Sequence, residues 1–215
     1  RISRKNVVIR NLTFRHCRGF VTDGSACKFY GSNFLIEDCA FEQNSGGGAS
    51  FGNRQEDITV RRCRFIENGA SGFGASYNDN MLCTDVECSE NNWRGHLAKW
   101  HGWSVAGAKL MGPGDPGNTT GNRFVRYRAL DNFAHGLWFD HCNASPGIVQ
   151  LHDCAFSHNN YGANLYIEKQ AGPLPISNCF FWSNPDTLRG IYAIASNVTV
   201  RNCRIRADVT EGIYL

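Results

Sequence analysis

Apolar and polar positions alternate along this chain in short bursts, and the bursts recur in a fixed template. An apolar residue is followed by another three positions later, a third two positions after that, and Asn three further on. The copies are Ile9-Leu12-Phe14-Cys17, Ile36-Cys39-Phe41-Asn44, Val60-Cys63-Phe65-Asn68 and Cys83-Val86-Cys88-Asn91. Phe124-Tyr127-Ala129-Asn132, Leu151-Cys154-Phe156-Asn159, Ile176-Cys179-Phe181-Asn184 and Val200-Cys203-Ile205-Asp208 complete the set. Neighbouring copies lie about 24 residues apart, except for one gap of 41 between Asn91 and Asn132. Gly48, Gly72, Gly95, Gly136 and Gly212 each fall four positions after the Asn site, and several open a second alternating burst such as Gly136-Leu137-Trp138-Phe139-Asp140. No apolar period of 3.6 runs long enough to predict a helix.

Short strands joined by Asn/Gly corners at this period predict an all-β solenoid, a parallel β-helix of about eight coils stacked at the ~4.8 Å strand spacing. In it the Leu, Cys and Phe positions form inward ladders, and the Asn positions form a ladder at one corner. A leucine-rich repeat shares the period and the Asn/Cys position. Leu is sparse here, however, and the second half of each unit is strand-like, which favours the β-helix.

Composition narrows the function classes. The 215 residues hold 22 Lys and Arg against 19 Asp and Glu, a net charge of +3, which predicts neither an acidic tail nor a nucleic-acid clamp. No run of 18 apolar residues predicts a membrane span. Gly numbers 23 and Pro 6. The chain opens on RISRKNVV and stops within a repeat at EGIYL, so residues 1–215 read as one β-helix domain, an excerpt of a longer protein. Of the ten cysteines, Cys39, Cys63, Cys154, Cys179 and Cys203 share one ladder position. Side chains stacked in parallel do not suit a disulfide, and no CxxC pair points to zinc, so a row of reduced core thiols is expected. The template places Cys27 and Cys142 least well.

Candidate chemistry follows from strand alternation, since residues i and i+2 share a face. In Gly136–Asp140 the apolar Leu137 and Phe139 face inward, so Trp138 and Asp140 face outward. NFAHGLWFD aligns without gaps on NYGANLYIE, which puts Tyr166 above Trp138 and Glu168 above Asp140. Tyr192 and Tyr214 continue the aromatic row. Two carboxylates ~5 Å apart suit a retaining glycosidase, one as nucleophile and one as acid/base, and their repulsion keeps one of them protonated. Aromatic faces beside them would receive sugar rings. The bland alternative is two solvated charges on an exposed strand; a cation site is a third reading.

The long gap adds about 16 residues and carries Trp93, Trp100 and Trp103 with Arg94, His96, Lys99 and His101. Residues 92–106 are expected to form an aromatic loop that walls the cleft. One alternative makes Gly107–Met111 the strand, with Lys109 beneath Trp138; the other uses Gly95–Lys99, with Lys99 beneath Asp140. The first is preferred. His135 and His141 flank the carboxylate strand, and His135 is a weaker candidate contact. Sequons at Asn11, Asn118, Asn143 and Asn197 are expected by chance in so Asn-rich a chain.

The ladder pattern resembles right-handed parallel β-helix proteins of the pectate-lyase-like superfamily. More narrowly, NNWRG, GLWFD and LYIE followed by AGP resemble β-helix glycoside hydrolases, a group that includes β-xylosidases and α-L-fucosidases. The resemblance implies a retaining hydrolase of plant or algal poly- or oligosaccharide, with Asp140 as nucleophile and Glu168 as acid/base. Trp138, Tyr166, Lys109, Trp103, Trp100, Tyr192 and His135 are the expected substrate contacts, with no cofactor. It also implies an extracellular or periplasmic protein, whereas the unpaired thiols point the other way. A polysaccharide lyase, with Lys109 or Lys99 as base and calcium on an acidic cluster, and a non-catalytic sugar-binding β-helix are the rivals.

Overall fold

The computed structural model describes residues 2–3, 5–19, 24–53, 55–97, 105–112, 121–140, 149–168, 173–194, 197–208 and 211–214. They form three sheets of nine, eight and eight strands, termed A, B and C, and each coil contributes one strand to each sheet in turn. Pairing is parallel between successive coils throughout. The arrangement is the expected all-β parallel solenoid.

The inward ladders follow the template. Cys39, Cys63, Val86, Tyr127, Cys154 and Cys179 are buried at its second position, and Phe41, Phe65, Cys88, Ala129, Phe156 and Phe181 at its third. The rings of Phe14, Phe41 and Phe65 stack with centroids 4.8 Å apart, as do Phe156 and Phe181 at 4.9 Å, so each ring repeats at the strand spacing. All nine described cysteines are free thiols. One expectation fails at the end of the stack: Leu12 is 49% exposed, because its coil has no described neighbour beneath that corner to cover it.

Polar corners turn the chain between sheets. After each sheet B strand one non-Gly residue adopts φ near +50°, at Asn11, Asp38, Arg62, Asp85, Arg126, Asp153, Asn178 and Asn202. Asn and Asp tolerate this left-handed conformation better than other residues with a Cβ, which explains half of the Asn/Asp pattern. Charges alternate up this corner, so that Arg62 pairs with Asp38 at 2.8 Å and Arg126 with Asp85 at 2.6 Å.

The second polar ladder is buried. In Asn44, Asn68, Asn91, Asn132 and Asn159 the amide carbonyl accepts from the backbone or side chain of the coil below, while the NH2 group donates to a main-chain carbonyl and to the next Asn. Here the sequence template is corrected at its upper end. Asn159 donates at 2.7 Å to Asn164, which reaches in from sheet A and closes the ladder on Ser183 at 3.2 Å. Asn184 instead accepts from the amide and hydroxyl of Thr187, and Asp208 sits exposed beside Arg206. Displacement arises because the turn after Asn184 is longer and needs its own cap.

The inserted segment also departs from expectation. Trp93–Leu97 is a short α-helix, not irregular loop. Trp93 donates to the Glu67 carbonyl at 2.9 Å and Arg94 donates to the carbonyls of Ser45 and Gly19 at 2.8 and 3.2 Å. The helix therefore packs down over the earlier coils at the corner between sheets C and A. Trp100, Trp103, Lys99 and His101 lie outside the described residues, as do His141 and Cys142.

Asn132→Ala removes four hydrogen bonds and leaves buried partners on two coils unsatisfied, so it is expected to lower unfolding free energy by about 3–5 kcal/mol. Urea denaturation measures this. Asn11→Gly, at an exposed positive-φ corner, should stay within about 0.5 kcal/mol of wild type.

Candidate active site

The outward face of sheet A holds the residues singled out by alternation. The strand Ala106–Met111 pairs with His135–Asp140, and Lys109 lies opposite Trp138, as the preferred alternative required. Trp138 then lies opposite Tyr166, Tyr166 opposite Tyr192, and Tyr192 opposite Tyr214. Ring centroids are 5.3, 4.8 and 5.2 Å apart along this row. Parallel pairing fixes the row: a slip by one residue would turn the aromatic side chains into the core.

Asp140 occupies the adjoining outward row, opposite Met111. The Glu168 amide donates to the Phe139 carbonyl at 2.9 Å, which continues the Phe139–Ile167 register and sets Glu168 on the coil after Asp140, on the same face. Both are held by other side chains. Lys109 Nζ lies 2.8 Å from Asp140 Oδ2 and 3.5 Å from the centre of the Trp138 ring. The Trp138 indole N–H donates to Glu168 Oε2 at 3.2 Å. The four side chains thus form one connected set, from ammonium to carboxylate and from indole to carboxylate.

Burial bears on the bland reading of Asp140. Asp140 is 6% exposed and Lys109 7%, so Asp140 is not a solvated charge on an open strand. The unshielded pair of like charges expected from the sequence is modified as well, because an ammonium joins it. In so dry a place the ion pair is strong, and neither partner can be removed without stranding the other.

His135 and Tyr166 border the set. The His135 ring lies 4.7 Å from Tyr166 and 5.1 Å from Trp138. Its Nδ1 accepts from the Ala163 amide at 2.9 Å, which leaves Nε2 to carry the proton of the neutral ring. Burial, then the charge of Lys109, push its pKa down to about 3. Burial, then Glu168, Tyr192 and Asp140, push the Tyr166 phenol up to about 12. Both rings are therefore neutral hydrogen-bonding groups near pH 7 rather than bases.

Sequence reasoning missed Arg189. Its guanidinium lies 4.3 Å from the Tyr192 ring and 4.6 Å from Tyr214, and its Nε bonds Glu211 at 2.7 Å. Its place at the start of a sheet A strand was legible, but its reach along the row was not. Among the described residues no group of three or more His, Cys, Asp or Glu gathers as a metal centre. Trp93, placed by the sequence in the wall of this cleft, lines a different cavity with Gln43, Glu67, Glu90 and Phe133.

Lys109→Met should cost about 3–5 kcal/mol by leaving Asp140 buried beside an apolar chain, and Lys109→Met/Asp140→Leu should recover much of that loss in thermal denaturation. A second expectation concerns pH. The unfolded His135 titrates near 6.5 and the folded one near 3. Its contribution is present above pH 6.5 and is lost as pH falls towards 3, and His135→Gln should flatten that part of the stability profile.

Residues 1–104 match the family described as "Right handed beta helix region". The A-module of mannuronan C-5 epimerase AlgE4 from Azotobacter vinelandii superposes with a TM-score of 0.64 at 14% identity, over 95% of this chain and 56% of that one. The chain thus spans little more than half the length of that structure, and the likeness is one of fold. No curated protein matches the sequence. Parallel pairing in three sheets, the in-register ladders, the family match over residues 1–104 and the superposition together give the chain the fold of a right-handed parallel β-helix.

Proposed function

We propose that this β-helix is a carbohydrate-active enzyme, and specifically a retaining glycoside hydrolase. The observation that carries the reading is the placement of Asp140 and Glu168 on adjacent coils of one face, beside an outward aromatic row. Adjacent strands are ~4.8 Å apart, close to the ~5–5.5 Å separation of carboxyl groups that double displacement uses.

In this reading Asp140 attacks the anomeric carbon as a carboxylate whose charge the Lys109 ammonium stabilises. The glycosidic C–O bond breaks, and the leaving oxygen takes a proton from Glu168. Glu168, now ionised, removes a proton from water, whose oxygen attacks the anomeric carbon and frees Asp140. The indole of Trp138 orients Glu168. The faces of Tyr166 and Tyr192 receive neighbouring sugar rings, and His135 Nε2–H offers a neutral donor. Trp100 and Trp103, from the aromatic loop that the sequence predicts over residues 92–106, are kept as proposed sugar contacts. An extracellular or periplasmic protein, and a hydrolytic cycle without a cofactor, are part of the same proposal.

A second reading has one specific support: the superposed A-module is named for an enzyme that acts on mannuronan. Proton removal next to a uronate carboxyl would then be the reaction. Lys109 suits the base poorly, since it is engaged by Asp140 and by the Trp138 ring. Elimination would yield an unsaturated product that absorbs in the ultraviolet, which hydrolysis does not.

The test uses a panel of aryl β-xylosides, α-L-fucosides and glucuronides. On a cleaved substrate Asp140→Asn should lower kcat at least about 1,000-fold. Glu168→Gln should slow substrates with poor leaving groups far more than activated ones. Full activity in both variants would falsify the assignment.

A further inference from the structure

A second cavity, of about 640 Å³, opens at the corner between sheets C and A in the first coils, well away from Asp140. It is lined by Arg18, Gly19, Gly24, Lys28, Ser45, Trp93 and Arg94. Three of these side chains are cations, and among the described residues the lining includes no acid. Elsewhere on this chain arginines close around carboxylates: Arg10, Arg61 and Arg62 on Glu37, and Arg15 and Arg64 on Glu42. Among the described residues Arg18, Lys28 and Arg94 form no ion pair, so their mutual repulsion is uncompensated within the described protein.

The cavity is built, not incidental. Arg94 comes from the inserted helix, and one of its terminal nitrogens is pinned to the carbonyls of Gly19 and Ser45. Pinning fixes the guanidinium and leaves its remaining N–H groups for a ligand. Trp93 is anchored by its indole N–H on Glu67, which presents the ring as a fixed apolar wall. A planar cation fork beside an aromatic wall matches a sugar ring that bears a carboxylate or a sulfate.

Lys28 ties this cavity to the active-site row. It lies opposite Ser50, Ser50 opposite Gly74, and Gly74 opposite Lys109, so all four occupy one outward line. Three strand spacings, ~14 Å, separate Lys28 from Lys109. The two residues between them have little or no side chain, and a Cβ added at Gly74 would meet only the Lys109 carbonyl at 4.0 Å. Among the described residues the path is therefore low at Ser50 and Gly74, neither of which is buried.

We propose that Arg18, Lys28 and Arg94 form an anion-binding subsite, with Trp93 as its wall, for a carboxylated or sulfated oligosaccharide that runs along the outward row of sheet A. The identity of the ligand as a saccharide rests on the proposed carbohydrate function; the anion site itself does not rest on hydrolysis.

The test measures binding calorimetrically with Asp140→Asn protein, so that turnover does not interfere. The probes are tetragalacturonate, a heparin tetrasaccharide, the neutral xylotetraose and a short oligothymidylate. At least one acidic tetrasaccharide should bind about tenfold more tightly than xylotetraose at low salt, and the advantage should vanish near about 0.5 M NaCl. Which acidic probe binds better separates carboxylate from sulfate. Arg18→Gln/Lys28→Gln should weaken acidic binding about tenfold, leave xylotetraose unchanged and, in the otherwise wild-type chain, leave turnover of a small aryl glycoside unchanged. Equal binding of acidic and neutral sugars, no loss in the double variant, or tighter binding of the oligothymidylate overturns the proposal. Loss of hydrolysis alone, with acidic binding intact, overturns only the hydrolase reading.

Discussion

Every coil of this protein can bury its inward side chains only against the same positions of the coils above and below. That constraint of register governs the rest. Phe stacks on Phe at 4.8 Å because the backbone spacing is also the ring spacing, and Asn bonds Asn because an amide carries both a donor and an acceptor. A residue that cannot repeat is tolerated only where its neighbours adapt. Tyr127 shows this: it enters a Cys ladder and satisfies its hydroxyl on the Gly136 carbonyl at 3.3 Å.

Register also orders the outward face. The outward side chains gain nothing from the core, yet the ladders below bring them side by side with the same regularity. Lys109, Trp138 and Tyr166 meet because Ala108, Leu137 and Leu165 meet beneath them. The scaffold thus supplies proximity at no extra structural cost, and the sequence has only to place a charge or a ring at the right position of a unit. A carboxylate so placed is then withdrawn from water by its own neighbours.

The repeat made most of the architecture legible. Gly136–Asp140 and Ala163–Ile167 could be aligned residue by residue, since alternation has a period of two and the apolar pairs left a single register open. What escaped was non-local. Lys109 was placed beneath Trp138, but its lean across to Asp140 depends on side-chain torsions that no pattern records. The sequence predicts a loop over the carboxylates where a helix stands, because length and composition say nothing of direction; Trp93 and Arg94 turn towards Glu67 and Ser45 instead. Arg18 and Lys28 carry no motif, and only the corner geometry brings them together. The template carries the Asn ladder one step too far, since a longer turn at Asn184–Thr187 claims the amide that the repeat assigns to the stack.

That last substitution divides the solenoid mechanically. Below Ser183 the coils are laced by an unbroken chain of amides, so opening one of them strands donors on the next. Among the described residues the amide lacing stops above it, and Arg189–Ala193, Val198–Arg201 and Arg204–Ala207 are joined through sheet pairing, apolar contact, the Arg189–Glu211 ion pair and the ring contacts of Tyr192. Neighbour coupling is the currency of cooperativity in a linear array. With fewer buried amide bonds to their neighbours, these last coils are the part of the solenoid expected to open at the lower free energy, and Tyr192 and Tyr214 belong to them.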